Sequence, residues 1–135
     1  MPVHRVWPAA LALLLLAGVA AGDTTSRSPL RVEILIHYSH FDPSALSVPH
    51  GVAVTFVLIN EDPIDHEWLL GDAAFQERHR HGTEAHHGAR PNEVSIAAET
   101  TTETTLIFVA PGTLQYICHM PGHEAYGMVA TLTIT

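Results

Sequence analysis

The segment CHMPGHEAYGM places Cys118, the single cysteine of the chain, five positions before His123, and His123 five before Met128. A thiolate, an imidazole and a thioether form a soft donor set that selects copper over harder ions. Two imidazoles and one thiolate in a plane with a weak axial thioether make a blue-copper electron-transfer centre. His66, in the segment DHEW, can supply the second imidazole. The Cys118 sulfur would then carry the strongest bond, His66 and His123 would complete the plane, and Met128 would be a long fourth contact. Four ligands leave no open position, which favours electron transfer over catalysis on a bound substrate.

Such ligands must be brought together by the surrounding elements, and here the apolar pattern has the period of strands. Leu30–Ile36, Ser44–Val48, Val52–Ile59, His66–Leu70, Glu93–Ala97, Thr104–Val109, Leu114–Cys118 and Met128–Ile134 alternate or run β-branched between Pro, Gly, Asn and Asp punctuation. About eight short strands at this spacing predict an all-β, Greek-key β-sandwich. Asp72–Asn92, charged and rich in histidine, interrupts the rhythm as an inserted loop or short helix. Leu114–Cys118 runs into a turn at Pro121 and Gly122, and the chain returns as a strand from Met128, so three candidate ligands share one end of two neighbouring strands. His66 opens another strand after the turn EDPID, and in a Greek key that end can lie at the same pole.

Composition narrows the setting. Residues 1–22 carry Arg5, an apolar stretch from Pro8 to Val19 and small residues at Gly18, Ala20, Ala21 and Gly22, the pattern of a secretory signal peptide. The stretch is shorter than the roughly 20 residues a membrane span requires, and no second run follows, so an integral membrane protein is not expected. Residues 23–29 read as a flexible leader and 30–135 as one domain, in an extracytoplasmic, periplasmic or secreted monomer. All six basic residues are arginines against fourteen acidic ones, a balance that disfavours nucleic acid. The exported setting permits disulfides, but one cysteine makes none within the chain, so Cys118 is inert, reactive, paired between chains or a metal ligand. Its neighbours favour the last.

The chain resembles the cupredoxin family of small blue-copper proteins over nearly the whole domain. PSALSVPHGVAVTFVLIN followed by DHEW is similar to the family's middle strands and first histidine ligand, and TLQYICHMPGHEAYGMVATLTI to its C-terminal ligand loop. The spacing CxxxxHxxxxM is similar to that of rusticyanin, auracyanin and sulfocyanin. The resemblance implies one type 1 copper on His66, Cys118, His123 and Met128, cycling between Cu(I) and Cu(II) in a one-electron carrier that is not an enzyme. Its partner would be a redox protein such as a cytochrome or a membrane oxidase or reductase. Copper delivery or copper tolerance through the same site is the alternative. The chain departs from the family at Glu67, where many members carry Asn or Ser beside the cysteine sulfur. Alternation points Glu67 away from the His66 face, and backbone amides could substitute.

Other residues have plainer readings. His119 should point away from the metal, Met120 should cover it, and Trp68 and Tyr116 belong to the core. Tyr126 and Pro121 could join Met120 in an apolar collar around the edge of His123, suited to docking a redox partner. The cluster His79, His81, His86 and His87 could capture Cu(II), Ni(II) or Zn(II). Arg78, Arg80 and Arg90 disfavour a cation there and no carboxylate spacing defines a geometry, so a solvated loop is expected. The pair His79-Arg80-His81 is too little for a trinuclear centre, and His37, His40 and His50 read as surface residues.

Overall fold

Short runs of β-branched and apolar residues, each cut by proline or glycine, favour strands too brief to be stable alone, and they find partners in two sheets. A computed structural model describes residues 28–135. The expected signal 1–22 therefore lies outside the described residues, as does all of the leader except Ser28 and Pro29. In chain order the elements are β1 Leu30–His37, β2 His40–Asp42, β3 Ala45–Val48, β4 Ala53–Asn60, β5 His66–Gly71, α1 Ala73–Arg80, β6 Glu93–Ile96, β7 Thr101–Ile107, β8 Gly112–Ile117 and β9 Val129–Ile134.

One sheet has the order β2-β1-β4-β7 and the other β3-β9-β8-β5-β6. Both are mixed: β1 runs parallel to β4 and β3 parallel to β9, while the remaining pairs are antiparallel. The core lies between the sheets, with Ile34, Ile36, Phe56 and Leu58 from the first against Trp68, Tyr116, Ala130 and Leu132 from the second. Trp68 sits against Phe56 and Tyr116, with ring centroids 5.0 and 6.0 Å apart, so Trp68 and Tyr116 are core residues as expected.

The expected all-β sandwich is present, with nine strands rather than about eight. The additional β2 is three residues long and buries only Phe41, too brief to leave a periodic signal. β7 begins three residues earlier than expected, because Thr101–Thr105 are β-branched and pair with β4 without any apolar alternation to mark them. The segment after β5 does form a short helix. Asp72 caps it by accepting from the Phe75 amide at 2.8 Å, which satisfies one of the unpaired N–H groups of the first turn.

Helix α1 covers the outer face of the second sheet. Leu69 and Ile117 are buried yet lie outside the inter-sheet core, and Phe75 is buried with them. The fully buried Gln76 side-chain amide donates to Leu69 O at 2.8 Å and to Gln115 O at 2.9 Å, which ties α1 to β5 and β8.

At the end of β4, in the first sheet, a buried side chain shapes the turn that leads into β5. Asn60 Nδ2 donates to Ile64 O at 2.8 Å and Ala97 O at 3.0 Å, and Oδ1 accepts from the Asp62 amide at 3.0 Å. Replacing Asn60 by Ala removes these three bonds and leaves the buried Asp62 amide without a partner, for which the expected loss is about 1–3 kcal/mol of unfolding free energy. Urea denaturation followed by tryptophan fluorescence measures it, and a change below about 0.5 kcal/mol would remove Asn60 as the organiser of this turn.

Candidate metal centre

The pole of the second sheet where β5 begins, β8 ends and β9 begins gathers the candidate ligands. His66 is the first residue of β5, Cys118 follows the last residue of β8, and Met128 precedes the first of β9. β8 is hydrogen-bonded to both β5 and β9, so a strand start and a strand end from distant sequence meet there. His66 Nδ1 lies 3.2 Å from His123 Nδ1, and Cys118 Sγ lies 3.3 Å from the same nitrogen. One donor atom from each of His66, Cys118 and His123 falls within 4.8 Å of the others. Met128 is fully buried in the same core cluster as Cys118, and its backbone brackets the site: its carbonyl accepts from the Cys118 amide at 3.2 Å and its amide donates to His123 O at 3.0 Å.

The loop between β8 and β9 is closed by its own backbone. His123 N–H donates to Met120 O, Tyr126 N–H to Gly122 O and Gly127 N–H to Glu124 O, each at 3.0 Å. Gly122 and Gly127 make the tight reversals possible, with φ of 86° and 95° in the left-handed region that costs other residues energy. From outside, Arg80 at the end of α1 pairs with Glu124 at 2.7 Å, and His119 Nε2 meets Gln76 Oε1 at 2.8 Å. His119 is thus turned to the helix side of the sheet, as alternation predicts, and Met120 packs against the core cluster.

Asp62, which sequence reasoning did not single out, orients His66. Its carboxylate accepts from His66 Nε2 at 2.8 Å and from the Tyr38 and Ser39 amides at 2.7 Å each. Burial works to raise its pKa, but the Ser39 and Tyr38 amides and His66 outweigh burial and hold the carboxyl below its ordinary range. Because Nε2 donates to Asp62, Nδ1 of His66 presents a lone pair to the site. A carboxylate behind a histidine in this way fixes the tautomer and raises basicity toward a metal. The signal was the acid four residues before His66 in EDPID, a weak one in a turn where acids are common.

The donor set fits a soft cation. Burial pushes the Cys118 thiol up to about 11, against the opposing pull of the Met120 and Glu67 amides, so the thiolate needs a positive partner to form at neutral pH. The Glu67 amide donates to Cys118 Sγ at 3.4 Å, the backbone substitution expected where the family carries Asn or Ser. Burial, followed by the neighbouring His66, keeps His123 below the ordinary imidazole range, which leaves it neutral and available as a ligand.

The histidine-rich segment departs from the solvated loop expected of it. His81 and His86 are exposed, whereas His79 and His87 are buried. On a helix, residues two apart do not share a face, so His79 turns to the sheet while His81 turns to solvent and meets Glu77 at 3.0 Å. His37, His40 and His50 are exposed, as expected.

Known proteins share this architecture. The profile of the copper binding proteins of the plastocyanin/azurin family matches residues 31–135. The copper-resistant cuproprotein CopI of Pseudomonas aeruginosa is 28% identical, with 97% of each chain covered. The protein of the same name from Rubrivivax gelatinosus is 33% identical over 70% of this chain, a match spanning 59% of that relative's length. Among solved structures, auracyanin A, a "blue" copper protein from Chloroflexus aurantiacus, superposes with a TM-score of 0.64 at 26% identity, covering 80% of this chain and 100% of that one.

If Asp62 orients His66, replacing it by Ala should weaken copper affinity by roughly 10–100-fold. Competitive titration against a chelator measures this. An unchanged affinity would show that His66 needs no such support.

Proposed function

Because the chain belongs to the plastocyanin/azurin family of copper-binding proteins, we propose that it is an exported one-electron carrier holding a single type 1 copper on His66, Cys118, His123 and Met128. When bound, copper in such a set supplies one-electron chemistry by alternating between Cu(I) and Cu(II). The observation that carries the reading is the convergence of Cys118 Sγ and His66 Nδ1, both from buried residues, with the half-buried His123 Nδ1 of a loop locked by its own hydrogen bonds. Donors held this firmly resist rearrangement when the charge of their ion changes, and low reorganisation favours rapid electron exchange.

His66 and Cys118 have no exposed surface, whereas His123 is only half-buried. Electrons would therefore enter and leave at the His123 edge. Beside it Tyr126 is 74% exposed and Pro121 is exposed, with Met120 partly covered. This apolar collar would seat a redox protein, and the acidic balance of the chain favours a basic one. With no open position in the donor set, the site is not that of an enzyme. Residues 1–22 would be removed on export, leaving the 23–29 leader and a monomeric domain over 30–135 in the periplasm or outside the cell; among the described residues no helix is long and apolar enough to cross a membrane.

The names of the two CopI relatives favour a second reading, copper resistance through capture or delivery of the metal at the same site. Rapid self-exchange at a stable potential supports the carrier. Transfer of Cu(I) to an acceptor, with slow self-exchange, supports resistance.

Two substitutions test the ligand assignment itself. Cys118→Ser should abolish the intense visible colour of the Cu(II) form, since the charge-transfer band requires the thiolate; a variant that stays blue excludes Cys118. Met128→Gln should retain copper and lower the reduction potential, because an oxygen donor stabilises Cu(II) more than a thioether does. Voltammetry of the two proteins reads this, and an unchanged or higher potential rules out the axial role.

A further inference from the structure

On the outer face of the second sheet, two imidazoles and a carboxylate converge with no sulfur among them. One donor atom each from His79, His87 and Glu93 lies within 4.8 Å of the other two, and all three residues are buried. They come from three elements: His79 from the last turn of α1, His87 from the connection after it, and Glu93 from the first position of β6. His79 Nε2 is 4.0 Å and His87 Nδ1 3.6 Å from the same Glu93 oxygen, Oε2.

Neither nitrogen has a hydrogen-bond partner, and for His79 the tautomer is fixed as well. His79 Nδ1 meets the Phe75 carbonyl at 2.9 Å, and a carbonyl only accepts, so the proton sits on Nδ1 and the lone pair on Nε2. Among the described residues, the buried side-chain nitrogens and oxygens lacking any hydrogen-bond partner are Trp68 Nε1, His79 Nε2 and His87 Nδ1. Two of the three therefore belong to this one cluster, in side chains more than nine-tenths buried. Leaving a buried polar atom unpaired costs about 1–3 kcal/mol, so a pair facing one carboxylate calls for a positive occupant. The backbone carbonyl behind His79 is also the usual device for orienting a metal-bound imidazole.

We propose that His79, His87 and Glu93 form a second metal site for a divalent cation of the Zn(II) or Cu(II) kind. Nitrogen and oxygen donors without a thiolate suit these borderline ions, whereas Cu(I) prefers the sulfurs of the first site. Tetrahedral bonds of 2.0–2.1 Å set donors about 3.4 Å apart, close to the 3.6 and 4.0 Å that separate the histidine nitrogens from Glu93 Oε2. The cluster opens on a cavity of about 150 Å³ lined by Glu67, His79, Thr83, Glu84, His87 and His119, which leaves room for a fourth ligand. Arg90, 64% exposed, donates from one Nη1 to both Glu93 oxygens, Oε1 at 2.9 Å and Oε2 at 3.0 Å, so an ion at Oε2 would use the lone pair that this bond leaves free.

The test uses the full protein with copper already bound at Cys118, titrated with Zn(II) and, separately, with further Cu(II). Metal analysis should find one additional ion per chain with the blue colour retained. X-ray absorption at the zinc edge should show imidazole and carboxylate donors and no sulfur. His79→Gln and Glu93→Gln should each weaken this binding roughly tenfold or more while the blue band, which reports an intact fold, persists. The double variant His81→Gln/His86→Gln should bind as the parent does. Failure of both ions to bind, a sulfur in the zinc shell, or binding lost in the His81/His86 variant and kept in His79→Gln would each overturn the proposal, and the zinc-edge measurement decides it on the unaltered chain. In the Cys118→Ser background the second ion should still bind, which separates this site from the fate of the first.

Discussion

Three donor atoms, Cys118 Sγ, His66 Nδ1 and His123 Nδ1, are pressed together where only the His123 edge reaches water, and much of the fold exists to keep them there. Nothing in their own chemistry draws them together: a thiol whose ionisation burial opposes and two imidazole nitrogens at 3.2 and 3.3 Å gain little from one another. Their positions are imposed from behind. Asp62 holds the far nitrogen of His66, the Met128 backbone holds both Cys118 and His123, and the Glu67 amide points at the sulfur. A cation entering this group finds donors already desolvated and oriented, so its binding energy is not spent on ordering a loop.

Strand alternation then explains how one sheet carries two centres of different chemistry. His66 and Trp68 in β5 turn to the inter-sheet core, while Glu67 and Leu69 turn to the helix side. The same division separates Cys118, which faces the core, from its neighbour His119, which meets Gln76 of α1. Sulfur donors therefore collect on the inner face beside apolar side chains, and the donor groups of the outer face under α1 are imidazoles and carboxylates only. A shift of register by one residue would exchange the two sets, so the ladder between β5 and β8, with Leu69 opposite Ile117, matters to both.

How much of this was legible in the chain follows from the range of each contact. The loop from Cys118 to Met128 is local, so residue types, order and turn residues announced it. His66 was legible through its strand and the β-rich pattern around it, although its approach to His123 depends on a loop 57 residues away. Asp62 was not, because its meaning comes from the Tyr38 and Ser39 amides, more than twenty residues distant, in a turn that only the fold brings near. The histidine-rich segment misled for a related reason. Its charged composition reads as solvated, yet α1 is pinned to the sheet by the buried Phe75 and Gln76, and that anchoring carries His79 inward. Glu93 lies outside the run of histidines and opens a strand, so no spacing within the run pointed to it.

Glu67 connects the two faces. Its amide donates to Cys118 Sγ at 3.4 Å while its carboxylate lies 3.6 Å from His87 Nε2. Motion is a poor carrier between them, since β5 is laddered to β8 on one side and β6 on the other, and Ser95, the β6 residue opposite Glu67, is itself bonded to the His87 backbone. Charge is a better one. The Glu67 carboxylate disfavours negative charge on the Cys118 sulfur, and with copper in place a nearby carboxylate favours the more positive Cu(II). Positive charge gathered around His87 offsets that carboxylate and shifts the balance toward Cu(I). The coupling would act through a few ångströms of water-poor protein, where salt screens weakly, so Glu67 would let the outer face bias the oxidation state of a copper held on the inner one.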